Sequence, residues 1–202
     1  MFQTALLLTS LLGTPPAPPP ARPVLTFQGT CDASGAVELM GGLFLVGDDE
    51  NNVLRVYDGF TGGSPRKTFD LSAALGVPAG RKQAPETDIE AATPLPPYSF
   101  WMTSHGRRSS GKQDPNRFRF FATRTSRDGK DVRLAGKPYT RLLEDLLAAP
   151  QLAAFGLAPA SELAPKADGG LNVEGLTVRE EDRKSTRLNS SHSGESRMPS
   201  SA

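Results

Sequence analysis

The chain has 202 residues, 37% of them apolar and 22% charged, with a formal net charge of +1. That is enough apolar material for one globular domain with its own core, and too dispersed for a set of membrane spans. The small net charge conceals segregation, because acids outnumber bases ten to five from Asp32 to Glu90 and bases outnumber acids eleven to three from Arg107 to Arg141. A dipolar surface follows. The basic stretch alternates its Arg and Lys with Phe118, Phe120 and Phe121, the pattern of a solvated strand face rather than of a nucleic-acid site. A small molecule or a protein is therefore the expected partner class.

The first 23 residues combine an apolar run from Ala5 to Leu12 with the proline-rich segment Pro15 to Pro23. The run is too short to span a bilayer and suits a secretory h-region, although no Lys or Arg precedes it. We read this segment, residues 1–23, as a degenerate or clipped signal peptide, which predicts an extracytoplasmic, periplasmic or secreted protein; the alternative is an irregular N-terminal arm, and Pro15 to Pro23 form a stiff polyproline linker in either case. Cys31 is the only cysteine, so no internal disulfide is possible, and it is expected to be a buried thiol.

Two short β-prone runs, Leu43 to Gly47 and Val53 to Tyr57, flank Asp48 to Asn52, whose residues are the turn formers of a hairpin loop. Lys67 to Asp70 suggests a further strand. Tyr98 to Ser104, bounded by Pro96-Pro97 and Gly106, reads as a buried strand, and Arg117 to Thr123 alternates like another. Between Pro138 and Leu157 the leucines fall at helical spacing, and Pro150 divides the segment into two short helices whose apolar residues are expected to pack in the core.

A weak internal repeat emerges from "SGAVEL" (Ser34 to Leu39), "TDIEAA" (Thr87 to Ala92) and "LNVEGL" (Leu171 to Leu176). Each places an aliphatic residue and a Glu at an expected strand start, and hairpin regions follow the first two. Units of three or four strands that open on a common motif suggest β-propeller blades, typically about 40 to 50 residues long. The spacings here, 52 residues from Glu38 to Glu90 and 84 from Glu90 to Glu174, are longer, and the second contains the helical insertion.

The last stretch, Asp182 to Ala202, has no apolar periodicity. It matches the translation of a common short-read library adapter: Asp182 to His192 and Ser196 to Ala202 encode its two constant parts in one frame. Ser193, Gly194 and Glu195 supply the barcode spacing between them. We expect 182–202 to be an artefactual, disordered tail, excluded from fold reasoning together with His192.

Taken in order, "CDASGAVEL", "LFLVGDDENNVLRVYD", "DLSAALG", "ETDIEAAT", "FWMTSHGRRSSGK", "RFRFFAT", "KPYTRLLEDLL" and "APKADGGLNVEGL" resemble the family catalogued as domain of unknown function 3616. The resemblance runs from about Phe27 to Thr177. It implies a bacterial β-propeller-type protein, with a loose likeness in the last motif to phytase-like and esterase-like propellers, and it carries over no catalytic residues. Arg108 stands where the family usually has Asn, and in the family further strands follow "NVEGL". The expected fold is thus mainly β: an incomplete β-propeller-like array of antiparallel hairpins or blades over 24–181, with a short helical insertion near 138–157.

Two function classes remain. As an enzyme, the chain would be a metal-assisted ester or phosphoester hydrolase. Glu38, Asp48, Asp49 and Asp88 are the candidate ligands for a hard cation such as Ca²⁺, which takes roughly six to eight oxygens. Glu90 and Glu174 would hold the cation or polarise water, His105 would act as general base, and Arg107, Arg108 and Lys112 would bind an anionic substrate. The hairpin "DDENN" lacks the glycine of a Ca²⁺ loop, so its acids need help from other loops, such as Glu86 and Asp88, and are otherwise a solvated turn. His105 has the alternative role of fixing a strand end. The competing class is a non-catalytic ligand- or protein-binding propeller.

Overall fold

A computed structural model of the chain describes residues 24–77 and 84–179. The expected signal peptide at 1–23 and the adapter-like tail at 182–202 lie outside the described residues. Eight strands form two four-stranded antiparallel sheets, each a meander in sequence order. The first contains β1 (Ala33–Glu38), β2 (Leu43–Asp48), β3 (Asn51–Asp58) and β4 (Lys67–Asp70), and the second β5 (Ile89–Leu95), β6 (Tyr98–Thr103), β7 (Phe120–Thr125) and β8 (Val132–Leu134). The mainly β expectation is met, and neither sheet closes on itself among the described residues.

Alternation of side chains explains both sheets. In β3, Asn52, Leu54 and Val56 are buried while Val53 and Arg55 between them are not, the two-residue period of a strand with one face inward. Leu43, Leu45, Leu54 and Val56 of the first sheet share one apolar core with Ile89, Trp101, Phe121 and Val132 of the second. The contact is close at glycines. A Cβ on Gly47 would stand 3.0 Å from Ile89 Cγ2 and 3.1 Å from Trp101 Cζ3, and one on Gly35 would stand 3.1 Å from the Ala91 carbonyl carbon. β1 therefore lies against β5, and the two opening strands form the seam between the sheets.

The hairpin at "DDENN" is tighter than its composition suggests. Asp48 pairs with Asn51 in the ladder, so the turn is only Asp49 and Glu50. Asp48 makes this possible: its carboxylate accepts from the Glu50 backbone N–H at 3.1 Å and from Asn51 Nδ2 at 2.9 Å. The strand expected at Arg117 to Thr123 begins at Phe120, because Pro115–Arg117 form a 3₁₀ turn capped by Asp114. Cys31 is exposed rather than buried, because it precedes β1 and leaves only its backbone N–H to bond inward, to Asp48 at 3.1 Å.

The segment after β8 breaks as its prolines require, into α1 (Leu142–Ala148), a 3₁₀ turn at Pro150–Phe155 and α2 (Leu157–Ser161). None of these elements contains a buried residue, so their leucines do not fill the core as expected. They instead carry the chain back to the sheets. Leu171 N–H bonds Ala160 O at 3.0 Å and Val173 N–H bonds Ser104 O at 2.8 Å, which seats the third motif copy beside the end of β6 without a strand of its own.

Register aligns the two sheets residue by residue. In β1–β2 the pairing runs Ala33 with Asp48, then Gly35 with Gly47, bulging at Ser34; in β5–β6 it runs Ile89 with Thr103, then Ala91 with Met102, bulging at Glu90. The hydrogen bond from Asp49 N–H to Asp32 O has its counterpart in that from Ser104 N–H to Asp88 O. The structural match of "TDIEAA" is accordingly "CDASGA", Cys31 to Ala36, and not "SGAVEL", which lies three residues further on. Ser34, not Glu38, is the counterpart of Glu90.

Candidate functional site

The bulges and the third motif copy meet at one cavity of about 640 Å³. Each copy contributes the second and fourth residues of its motif to the lining: Asp32 and Ser34, Asp88 and Glu90, Asn172 and Glu174. Simple strand alternation does not explain the pattern, because the chain bulges at Ser34 and Glu90 and turns left-handed at Asp88; the first two copies share it through the same bulged geometry. The β2–β3 turn adds Asp49 and Glu50, and the loop before β5 adds Glu86. Two bases, Arg117 and Lys166, offset seven acids.

Three carboxylates, from Asp49, Asp88 and Glu90, bring ligand oxygens within 4.8 Å of one another. Oxygens at roughly 2.4 Å from one Ca²⁺ are separated by at most about twice that distance, so the three can share an ion. Their titration reflects crowding. Burial, aided by the charges of Asp32, Asp88, Glu50 and Asp48, raises Asp49 to about 6. Burial and then Asp88, Asp49 and Glu174 raise Glu90 to about 7, opposed by a hydrogen bond from Asn172. Asp88 is also pushed up by burial, against the Ser104 hydroxyl and Arg117 that hold it down. One oxygen of Asp49, Oδ1, is buried with no partner among the described residues. Asp88 adopts a left-handed backbone at φ 63, a conformation that costs a non-glycine residue about 1–3 kcal/mol.

The other expected site residues lie elsewhere. Glu38 ends β1 opposite Phe44, at the far end of the strand from Ser34, and is exposed. Asp48 is fully buried and spends its oxygens on Cys31, Glu50 and Asn51, with Arg55 at 3.7 Å; it shapes the turn rather than facing the cavity. Arg107 donates to Ser161 O at 2.9 Å and to Gly111 O at 3.2 Å and pairs with Glu162. It lines a separate space of about 490 Å³ with Phe118 and Leu143. Arg108 is paired with Asp114 at 2.5 Å. Lys112 is exposed on the same loop, where its carbonyl accepts from Arg108 N–H at 2.8 Å.

His105 follows β6 and is only 2% exposed. Its Nδ1 lies 2.7 Å from Thr103 O, and because a carbonyl can only accept, Nδ1 carries the proton. Nε2 is buried without a partner among the described residues, and the edge of Phe118 packs against the ring with centroids 5.9 Å apart. Burial lowers its pKa. The histidine fixes the end of β6 and does not line the acidic cavity.

Sequence reasoning missed Asp32, Ser34, Asn172 and Arg117. The first three were within reach, since shifting the first motif copy by three residues puts Asp32 and Asn172 at the position of Asp88. Arg117 carries no such signal. No protein-family model and no curated protein matches the chain. Among the described residues no helix is long and apolar enough to cross a membrane.

Proposed function

We propose that the chain is an exported, propeller-like member of family 3616 whose acidic cavity binds a divalent cation, with Ca²⁺ favoured by an all-oxygen donor set. One observation carries this reading: equivalent positions of three motif copies line a single cavity, as inward-facing strand starts do around a channel mouth, and there three carboxylates crowd together. Crowded carboxylates repel one another unless protonated or bridged by a cation.

The reaction that suits such a site is metal-assisted hydrolysis of an ester or phosphoester. Asp49 and Asp88 would hold the cation, which would supply Lewis acidity to a substrate oxygen or a water. Glu90, the third carboxylate of the cluster, is placed beside them to accept a proton from that water, so the general-base role moves to it from His105. The apolar run at Ala5 to Leu12 supports export.

A non-catalytic, cation-stabilised binding module is the second reading. It is favoured by the ion pairs that occupy Arg107 and Arg108, which leave the cavity fewer groups to hold an anionic substrate. One experiment separates the two: thermal melts with calcium or chelator, followed by assay of a chromogenic phosphomonoester and a carboxylic ester. Calcium stabilisation with hydrolysis lost in Glu90→Gln supports the enzyme, and stabilisation without turnover supports the binding module. An unchanged melting point removes the cation from both.

A further inference from the structure

The cavity already contains a cationic group on one of its candidate ligands. Arg117 ends the 3₁₀ turn Pro115–Arg117, and its side chain is 13% exposed. Nη1 pairs with Asp88 at 2.8 Å and Nη2 with Glu86 at 2.6 Å, while Nε is buried with no partner among the described residues. Asp88 is one of the three carboxylates drawn together within 4.8 Å. A divalent ion bound to Asp88 at roughly 2.3–2.6 Å would therefore lie a few ångströms from the guanidinium. Like charges at that separation repel steeply in a partly desolvated site, so both cannot occupy the carboxylate at full strength.

Resting on the cation-binding reading above, we propose that Arg117 is the internal counter-ion of the cavity, holding Asp88 until a divalent cation displaces it and thereby setting the affinity of the site. The rest of the geometry suits an exchange. Glu86 is the more exposed of the two partners, 40% against 12% for Asp88, so a displaced Arg117 keeps one carboxylate partner. The bonds that tie this residue to the end of β6 run through its main chain: Arg117 O accepts from His105 N–H at 3.0 Å and from Thr103 Oγ1 at 2.6 Å. Replacing the side chain leaves those bonds intact and removes, besides the two carboxylate pairs, one long bond from Nη1 to Arg107 O at 3.4 Å. Lys166, the other base at the cavity, is exposed and makes no ion pair among the described residues.

The test is calcium titration by calorimetry on the full chain, comparing wild type with Arg117→Gln and Arg117→Lys. The Gln variant is expected to bind calcium about tenfold tighter or more, since a competing positive charge is gone. The Lys variant, which keeps the charge, is expected to stay within about threefold of wild type. Calcium affinity in Arg117→Gln equal to or weaker than wild type, with an unchanged far-ultraviolet spectrum, overturns the proposal and leaves Arg117 a strut. Should that variant fail to fold, Glu86→Gln is compared with Glu50→Gln. Each removes one cavity carboxylate, but only the first leaves Arg117 resting on Asp88 alone. Glu86→Gln should weaken calcium binding more, and equal weakening overturns the proposal. If wild type itself shows no calcium heat, the cation reading fails and the role of Arg117 with it.

Discussion

The two sheets share one frame and differ in what they hang on it. Both are four-strand meanders, both bulge at the fourth residue of the motif, and both send the N–H after the second strand back to the second residue of the motif. At equivalent positions the chemistry is kept once and changed twice: Asp32 corresponds to Asp88, but Ser34 stands for Glu90 and Ser104 for Asp49. At the last two of these positions, where one sheet offers a carboxylate the other offers a hydroxyl. Acids at all of these positions would add to the mutual repulsion, whereas this division leaves three carboxylates drawn together. A repeated backbone has been given an asymmetric site.

The largest difference between the sheets lies in packing. Trp101 is fully buried, stacks on Phe121 with centroids 6.4 Å apart and donates from Nε1 to Thr123 Oγ1 at 2.9 Å. Its counterpart in register is Val46, which is buried but belongs to no part of the shared core. Trp101→Ala is expected to cost about 3–5 kcal/mol and Val46→Ala about 1.5 kcal/mol, measured by urea denaturation. Equal costs would show that the two sheets contribute alike to the seam, contrary to the core described above.

The next effect comes from the acids at the seam. Asp49 and Glu90 have folded pKa values of about 6 and 7, above their ordinary values of 3.8 and 4.5. A carboxyl group whose pKa is raised by folding favours the protonated native state, so its stabilising effect is intact below the unfolded pKa and is lost as pH rises through the folded value. In chelator, the melting point should therefore fall between about pH 4.5 and pH 7.5, by a few degrees once solvent screening of these partly exposed groups is allowed for. Glu90→Gln should flatten most of that fall, and calcium should reverse it. A melting point that rises across this window would contradict the crowding of carboxylates that distinguishes this end of the seam.

Much of this frame was legible in the chain. Hairpins announce themselves through alternation and turn formers, so β2, β3, β4 and β6 fall where Leu43 to Asp70 and Tyr98 to Ser104 suggest. The short strand β8, Val132–Leu134, left too brief a pattern to notice. The leucines of α1 misled, because helical spacing marks an apolar stripe but not what covers it. The site was half visible. Asp49, Asp88, Glu90 and Glu174 do come together, but Glu38 and Asp48 do not, since a bulge shifts register by a residue and composition cannot reveal a bulge. His105 drew attention as the one histidine outside the tail, although its Nδ1 is committed to Thr103 O and its ring is buried against Phe118.

The smallest expected effects test the register itself. If Ser34 is the counterpart of Glu90, then Ser34→Glu adds a carboxylate to the cavity, while Glu38→Gln changes only an exposed strand end. Ser34 Oγ donates to Ile89 O across the seam, and losing that bond costs about 1 kcal/mol. The added charge then faces Asp49, Asp88 and Glu90, which lowers stability further without a cation and enlarges the stabilisation that calcium provides. Glu38→Gln should leave both quantities within about 0.5 kcal/mol of wild type. The reverse outcome, a calcium response that depends on Glu38 and ignores Ser34→Glu, would restore the alignment on "SGAVEL" and require the bulge at Ser34 to be absent. Thermal melts of the two variants at matched calcium concentrations decide between the alignments, because each predicts a response at a residue where the other predicts none.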